Sequence, residues 1–295
     1  MSTHSNSTVD PGSIATANEN PVLRIGSKLL THALLIVLSA TMLLPFLWMV
    51  LTAFKSQPQT FSIPPTLLPD PWIFTNFADS LSAMPFGRAY WNSFYVAVLT
   101  VILQLATCSM AAYAFARIEF PFKELIFGLF LATMMIPGHV TIIPLYLIMR
   151  DLGWLDTHLS LIIPSGLFSA FGVFLLRQFM KTMPIELEEA AFLEGADRGR
   201  IFLQITLPLL KAPLAALAVF TFLGSWNSLF TPNIFLSSEK MFTVPLMLNF
   251  FKGMYVTDWT LLMAGATIAV IPVLIVFLIG QKYIIEGIAL TGIKA

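Results

Sequence analysis

Long runs of apolar residues, separated by short polar segments, dominate this chain from residue 29 onward. A helix needs about 20 apolar residues to cross a bilayer, and six runs reach that length. The fifth run is longer than a crossing requires. The pattern predicts an all-α integral membrane protein with six transmembrane helices, at residues 29–51, 90–114, 125–149, 159–180, 209–236 and 259–280.

Polar segments divide the rest of the chain. The first 28 residues are rich in Ser, Thr and Asn and lack apolar periodicity, which predicts disorder. We do not expect a cleaved signal peptide, because the basic residues come late, at Arg24 and Lys28. The predicted segments are a tail at 1–28, the first transmembrane helix at 29–51, a proline-rich loop at 52–89, a transmembrane core at 90–281 and a C-terminal tail at 282–295.

Basic residues indicate how the chain is oriented. Of the 16 Lys and Arg residues, 11 fall on the side that holds both termini, and five, Lys55, Arg88, Arg150, Lys240 and Lys252, fall on the other. Loops rich in Lys and Arg remain in the cytoplasm. Both termini are therefore predicted to be cytoplasmic, and the loop at 52–89 is predicted to be periplasmic.

One strongly charged segment, residues 183–208, interrupts the apolar pattern between the fourth and fifth runs. Such a segment cannot lie in hydrocarbon, so it is expected on the cytoplasmic face. Pro184 suits the first turn of a helix, where its missing N–H has no cost. Glu186, Glu188 and Glu189 follow, near the positive end of the helix dipole.

The same segment contains signals for where its helices end. Gly195 is predicted to end the first helix, because glycine tolerates the left-handed conformation. Asp197 is a suitable N-cap for a second helix that continues through Ile205. Pro208 is predicted to end that second helix, because the residue before a proline is disfavoured in helices.

Composition supports the membrane assignment and limits the chemistry. Hydrophobic residues make up 57% of the chain and charged residues 11%, with mean hydropathy +0.82, whereas soluble domains are about 25% charged. The net charge of zero gives no indication of a nucleic-acid partner. The single cysteine, Cys108, excludes an internal disulfide and a cysteine-based metal cluster, and we expect its thiol to be packed in an apolar span.

The apolar runs hold few ionisable groups. Away from their edges, His139 is the one Asp, Glu or His residue in mid-run. Intramembrane carboxylates are typical of proton-driven carriers, so their absence from the sequence argues against such a carrier and against an intramembrane enzyme. His139 follows Pro137–Gly138 directly, and we interpret it as bonded to carbonyls that the kink releases.

Uncharged polar residues in the runs are the candidates for contact with a solute. Hydrogen bonds and aromatic faces bind uncharged sugars, and Trp226 beside Asn227 offers both. Bonding between helices is the competing interpretation for each residue. The predicted solute path comprises Asn92, Gln104, Ser169, Trp226 and Asn227.

The charged segment resembles the EAA loop of ABC importer permeases. Its fixed positions are Glu189, Ala190 and Ala191, then Gly195, Ile205, Leu207 and Pro208. Further similarity, including Phe174–Phe179 and the run 281–287, identifies the carbohydrate-uptake family and its maltose-type second permease. Two positions depart from that family: Glu194 stands where Asp is usual, and Ser228 where an acidic residue is common.

The resemblance implies a permease subunit that moves a sugar across the bacterial cytoplasmic membrane by alternating access. It implies a heterodimer with a second permease, two copies of an ATPase that bind ATP and Mg, and an extracytoplasmic solute-binding protein. The chain itself would bind membrane lipid and no cofactor or metal. The seven EAA positions would couple it to the ATPase, with Glu189 meeting a basic residue there.

Two alternatives remain open at this point. The substrate of the same kind of importer could be a glycerol phosphate. A stand-alone secondary carrier or channel is the second alternative, but it would need an ion site of its own. The sequence lacks a glycine loop followed by Lys-Ser/Thr, so ATP would be handled by another chain.

Overall fold

The computed structural model describes residues 21–83, 85–250 and 257–292. The regular elements in these ranges are helices, as the predicted all-α class requires. Most of the tail predicted at 1–28 lies outside the described residues. The first helix begins at Pro21, within the last part of that tail.

Fifteen α-helices follow one another in the described residues. They are α1 (Pro21–Ala53), α2 (Gln57–Thr60), α3 (Thr75–Ser82), α4 (Phe86–Arg117), α5 (Lys123–Ala132), α6 (Ile142–Asp151), α7 (Leu159–Leu167), α8 (Ala170–Thr182), α9 (Glu186–Leu193), α10 (Arg198–Ile201), α11 (Leu207–Leu209), α12 (Lys211–Trp226), α13 (Phe230–Phe235), α14 (Val244–Phe250) and α15 (Trp259–Gly292). Short 3₁₀ turns occupy Thr133–Met135 and Glu239–Met241, and a π-helix occupies Phe202–Thr206.

The chain divides after Trp48 into two units. In the described part of the first unit, α1 forms a regular helix. His32 Nδ1 lies 2.6 Å from the carbonyl oxygen of Lys28, and the Thr41 hydroxyl donates to the carbonyl of Val37 at 2.9 Å. Both contacts stay within one turn of the helix. The architecture described below belongs to the second unit.

Four helical stretches are long and apolar enough to cross a membrane: Lys28–Ala53, Phe86–Arg117, Leu159–Thr182 and Trp259–Tyr283. They coincide with the first, second, fourth and sixth predicted runs. A fifth stretch qualifies if Arg198–Leu209 and Lys211–Trp226, which meet at 76°, are counted as one broken span.

The third predicted run, 125–149, is divided into two ten-residue helices, α5 and α6. Ile136 is extended, with φ −87° and ψ 116°, as expected for a residue before a proline. Helix α5 ends at Ala132, a 3₁₀ turn follows over Thr133–Met135, and the α-helix resumes at Ile142. Pro137, which cannot donate a helical hydrogen bond, lies in the break between them.

His139 lies in this break, but its interpretation as a residue bonded to freed carbonyls is wrong. Among the described residues, its imidazole makes no hydrogen bond to a backbone carbonyl. The ring is exposed and packs against Phe230, with the ring centroids 4.5 Å apart.

Helix α4 is at the centre of the second unit. It contacts α7, α8 and α12, and α12 in turn contacts α15. Phe86 and Val96 join one hydrophobic cluster, which includes Trp226. Cys108 joins a second cluster and is 1% exposed, so its thiol is packed as predicted. A movement of α4 would therefore reach most of the bundle.

Two ionisable residues at the start of α7 bind the segment that follows α13. Asp156 accepts hydrogen bonds from the backbone N–H of Ser237 and Ser238, and the Ser238 hydroxyl donates to its second oxygen. These bonds, chiefly that from the Ser238 hydroxyl, lower the pKa of Asp156. His158 Nε2 lies 2.7 Å from the carbonyl of Met241, and burial lowers the pKa of this imidazole. The lowered pKa of Asp156 favours the ionised carboxylate, which accepts these bonds, and the lowered pKa of His158 favours the neutral imidazole.

Candidate functional site

The charged segment folds as its sequence predicts at the end of α9. Gly195 has φ +85°, in the left-handed region. Its N–H donates to the carbonyl of Phe192 at 3.0 Å, and the N–H of Ala196 donates to that of Ala191 at 3.0 Å. This pair of bonds is a Schellman motif, which satisfies the last carbonyls of the helix.

The start of α9 differs slightly from the prediction. Pro184 lies before the helix rather than in its first turn, and Ile185 occupies the N-cap position. Met183, which precedes the proline, is extended with ψ 136°, because a proline disfavours helical geometry in the residue before it. Glu186, Glu188 and Glu189 do fall in the first turn, where the helix dipole favours negative charge.

The second helix also begins as predicted. The Asp197 carboxylate accepts a hydrogen bond from the N–H of Arg200 at 2.7 Å and caps α10. From Phe202 the chain continues as a π-helix, in which the N–H of Leu207 donates to the carbonyl of Phe202. The EAA position Ile205 lies in this π-helix and is half-buried.

The predicted helix end at Pro208 is wrong. Leu207 keeps helical geometry, with φ −61° and ψ −42°, and the break falls at Leu210, with φ −86° and ψ 12°. The wider π-turn ahead of Pro208 accommodates a residue that has no N–H to donate. The 76° bend that follows joins this segment to α12.

The EAA positions of α9 and its turn face outward. Glu189, Ala190 and Gly195 are exposed, and Ala191 is half-buried. Large apolar side chains are exposed beside them: Leu187 is 47% exposed, Phe192 45% and Leu193 90%. Acidic and apolar groups together form a surface suited to contact with another protein. Leu207 is half-buried and Pro208 exposed at the other end of the motif.

Glu188, next to Glu189, points the opposite way and is buried. Its carboxylate accepts a hydrogen bond from Arg117 Nε at 2.7 Å, and the two side chains are 7% and 9% exposed. Arg117 also donates to the carbonyl of Met183 at 3.0 Å. The hydroxyls of Tyr113 and Thr206 donate to the carboxylate at 3.4 and 3.5 Å. Glu188 thus fastens α9 to the end of α4.

Sequence reasoning missed this contact. Residues 186–189 contain three glutamates, and no local pattern shows which of them turns inward. The partner, Arg117, is 71 residues away. An arginine at the end of an apolar run was the one available signal, but Glu119 lies closer to it in sequence.

A second ion pair holds the helices beside this contact. Arg177 of α8 donates to Glu124 of α5 at 2.5 Å and to the carbonyl of Phe115 at 3.1 Å. Its guanidinium also lies 3.9 Å from the centroid of the Phe127 ring. This pair joins α4, α5 and α8, and neither of its members belongs to the charged segment.

The residues of the predicted solute path are placed apart. Asn92 donates to the carbonyls of Lys240 and Phe242, both at 2.9 Å. Trp226 is 2% exposed, and its Nε1 donates to the carbonyl of Ala269 at 3.2 Å. These bonds connect parts of the bundle. Asn227 is exposed at the C-terminal end of α12.

Gln104 and Ser169 lie together. Gln104 Nε2 donates to the Ser169 hydroxyl at 2.8 Å, and that oxygen also caps α8 by accepting from the N–H of Gly172. Of the five predicted residues, Gln104 is the one that lines a partly open cavity between α4, α7, α12 and α13.

This cavity has a volume of about 240 Å³, and most of the residues that line it carry a hydroxyl or amide group, although apolar atoms form the larger part of the wall. Hydroxyl groups predominate, and no charged side chain among the described residues lines it. Within the described chain, the buried hydroxyls of Thr100 and Thr243 have no hydrogen-bond partner. Buried hydroxyls are usually paired, so these two are unsatisfied groups of residues in the cavity wall. The polar wall includes Ser93, Thr100, Gln104, Ser165, Ser225 and Thr243.

A metal centre is not indicated by the part of the chain that the structure describes. It contains no group of three or more His, Cys, Asp or Glu residues placed to hold an ion.

Curated proteins of known family resemble this chain over most of its length. It is 33% identical over 264 residues to the diacetylchitobiose uptake system permease protein NgcG of Streptomyces coelicolor, covering 88% of this chain and 87% of the relative. It is 33% identical to the sn-glycerol-3-phosphate transport system permease protein UgpE of Yersinia enterocolitica, covering 90% and 97%. The arabinooligosaccharides transport system permease protein AraQ of Halalkalibacterium halodurans is 32% identical, covering 85% and 90%.

A solved structure supports the fold. A chain of a bacterial ABC transporter involved in import of the acidic polysaccharide alginate superposes with a TM-score of 0.79 at 24% identity, covering 90% of this chain and 98% of that one. Residues 104–289, most of the second unit, match the family described as "Binding-protein-dependent transport system inner membrane component". This chain is therefore a member of that family, the permease subunits of ABC importers.

Proposed function

We propose that this chain is the permease subunit of a sugar importer whose transport is driven by ATP hydrolysis on a separate ATPase that docks on the exposed face of α9. The observation that carries the proposal is that two adjacent glutamates of α9 point in opposite directions. Glu188 fixes α9 to the bundle, while Glu189 beside it faces outward with Leu193 and the Gly195 turn. Such a surface can bind a partner and still move with the bundle.

The proposed topology has six spans. In it, α5 and α6 form a broken third span, α12 and α13 form the fifth, and the segment 183–208 is a cytoplasmic coupling element. Support comes from the 11-to-5 distribution of the 16 basic residues. The segment boundaries proposed from the sequence are kept: a cytoplasmic tail at 1–28, the first span at 29–51, a periplasmic loop at 52–89, the core at 90–281 and a cytoplasmic tail at 282–295.

The proposed assembly has four kinds of subunit. This chain pairs with a second permease, two copies of the ATPase hold ATP and Mg, and an extracytoplasmic protein delivers the solute. Glu189, Ala190, Ala191 and Gly195 make the contact with the ATPase. Ile205, Leu207 and Pro208 carry the motion towards α12 across the 76° bend.

An uncharged sugar is the proposed solute, and the cavity beside α4 favours it over a glycerol phosphate. A phosphate would need a cation or several N–H donors, and the wall supplies hydroxyls and the amide of Gln104. Ser228, which stands where the resembled family commonly has an acidic residue, also lines the cavity and leaves it uncharged. We place the solute path here, with Gln104 as a contact and with Asn92, Ser169, Trp226 and Asn227 supporting its walls.

Reconstitution tests the proposal directly. The chain is co-expressed with the second permease, ATPase and binding protein from the neighbouring genes, and the assembly is placed in proteoliposomes. Uptake of labelled diacetylchitobiose, an arabinooligosaccharide and sn-glycerol-3-phosphate is then measured with ATP alone or with an ion gradient alone. We expect ATP-dependent uptake of a neutral sugar. Uptake driven by the gradient without ATP would show a secondary carrier instead, and preferred uptake of the phosphate would overturn the substrate class.

The two unpaired hydroxyls allow a sharper test of the cavity. Thr100→Val and Thr243→Val each remove a buried hydroxyl at constant shape, so the thermal stability should stay the same or rise. Each should raise the KM for uptake about twofold to tenfold, the effect of losing one neutral hydrogen bond.

Thr267→Val is the matched control, because the Thr267 hydroxyl donates to the carbonyl of Met263 within α15 at 2.7 Å. It should leave KM unchanged. If both cavity variants also kept the wild-type KM, the solute would not touch this wall.

A further inference from the structure

We propose that the buried Arg117–Glu188 pair transmits the movement of α9 directly to α4. It would act in addition to the covalent connection that leads from the coupling segment, residues 183–208, to α12. This inference rests on the proposed function, because it presumes an ATPase that moves α9. Arg117 and Glu188 act as positioning residues that transmit motion.

The covalent path from α9 to α12 contains several breaks in its helical geometry. It passes through α10, a π-helix and α11 before the 76° bend at Leu210 leads into α12. A wide turn and a bend at successive points let the two ends shift relative to each other. Along this path, part of any displacement of α9 would be absorbed before it reached α12.

The route through the ion pair is direct. Arg117 Nε lies 2.7 Å from Glu188 Oε1, and a further bond from Arg117 reaches the carbonyl of Met183 at 3.0 Å. The Arg117 guanidinium therefore binds both α9 and Met183, which lies just ahead of α9. Tyr113, one turn earlier on α4, donates to the same carboxylate. Two contacts from α4 to the Glu188 carboxylate and one to the segment just ahead of α9 leave little freedom for α4 and α9 to slide.

Burial makes this attachment durable. The side chains of Arg117 and Glu188 are 9% and 7% exposed. Salt screens a buried pair much less than a surface pair. Opening it would also strand a charge in the bundle, which is strongly unfavourable. The pair is thus expected to stay closed while α9 moves.

Helix α4, which would receive this motion, also lines the cavity. Gln104 lies 13 residues before Arg117 on α4, roughly 20 Å along the axis at 1.5 Å per residue. Thr100 lies one turn further. Because α4 also contacts α7, α8 and α12, its displacement would reshape the cavity and its surroundings together.

Substitutions can separate the transmission of motion through the ion pair from the docking of the ATPase. Glu188→Gln should keep the ATPase on the purified assembly, because the outward face is intact. The solute taken up per ATP hydrolysed should fall about fivefold or more, the lower end of typical coupling between sites. The charge swap Arg117→Glu with Glu188→Arg should recover part of that ratio. A merely structural role would lower the yield of assembly without changing the ratio.

Glu124→Gln is a control at a neighbouring ion pair whose carboxylate is 68% exposed. It breaks the ion pair with Arg177, which lies nearby but includes no residue of the coupling segment. Its uptake per ATP should equal that of the wild type. If Glu188→Gln also kept the wild-type ratio while the wild-type assembly transported normally, the inference would be overturned. If the wild type bound no ATPase, the proposed function itself would fail.

Distance measurement tests the inference without altering the pair. Cys108, the single cysteine, is 1% exposed, so labels can be placed at Glu186→Cys, an exposed site on α9 outside the proposed docking positions, and at Met110→Cys, a 54% exposed site on α4. Double electron–electron resonance on this assembly, in which Arg117 and Glu188 are unchanged, should give the same narrow distance with ATP and with ADP. A shift between the two nucleotide states would show that α9 moves without α4.

Discussion

Replacing Gly195 with aspartate is expected to release the ATPase from the assembly while this chain remains inserted in the membrane. Gly195 has φ +85°, a conformation that costs a residue with a side chain about 1–2 kcal/mol. A Cβ there would meet no atom of this chain within 4 Å. The bulk and the charge would instead face the partner. Together these effects should reduce the retained ATPase about tenfold or more.

Two controls separate the turn from the docking surface. Gly195→Asn tolerates the left-handed conformation and adds no charge, so it should lose less ATPase than aspartate. Gly199→Ala lies in α10, where its Cβ would only touch Asp197 Oδ1 at 3.5 Å, and should bind the ATPase normally. Co-purification followed by quantitative gel analysis measures all three. Wild-type retention and uptake in Gly195→Asp would contradict the proposed docking face.

Arg117→Met should be the most destabilising single change at the coupling segment. It leaves Glu188 buried without its cation, and breaking a buried ion pair from one side costs about 3–5 kcal/mol. The hydroxyls of Tyr113 and Thr206 lie 3.4 and 3.5 Å from the carboxylate, too far to replace a guanidinium at 2.7 Å. Thermal unfolding of the purified chain in detergent measures the loss.

The double variant Arg117→Met with Glu188→Leu should recover most of this stability, because apolar residues of similar size often replace a buried pair without loss. Glu119→Gln is the control at a surface pair, since Glu119 is 88% exposed opposite Lys123 and its loss should cost about 0–1 kcal/mol. A single variant no less stable than the double one would show that Glu188 escapes to water.

Local rules were sufficient for part of the coupling segment. The end of α9 at Gly195 and the cap of α10 at Asp197 depend on residues within one turn of each other, and both were predicted. Pro208 shows where a local rule fails. The preference against helix in the residue before a proline is a local steric effect, and here Leu207 stays helical after a π-helix.

Composition was sufficient to predict the long apolar helices, but it could not predict where they break. The run at 125–149 is apolar throughout, so hydropathy alone could not divide it into α5 and α6. Pro137 gave a signal for a kink, but prolines also occur inside α1, α7 and α15 without ending them. Whether a proline bends a helix or ends it depends on neighbouring helices that supply or withhold partners.

Contacts between distant residues could not be read from the sequence. Glu188 and Arg117 are 71 residues apart, and nothing near either one identifies the other. The residues that line the cavity could not be identified from the sequence either. Trp226 was the most suggestive residue for a sugar, yet its indole is occupied by the carbonyl of Ala269, and threonines that gave no signal line the wall.

The exposed Phe192 and Leu193 also bear on how the cell would handle a solitary copy of this chain. In the proposed orientation, α9 without the proposed ATPase would present apolar side chains to the cytosol, and one of them is 90% exposed. Chaperones and quality-control proteases select such surfaces. Surplus copies made without the other subunits should therefore be cleared, which would match the amount of this protein to that of its ATPase without any transcriptional control.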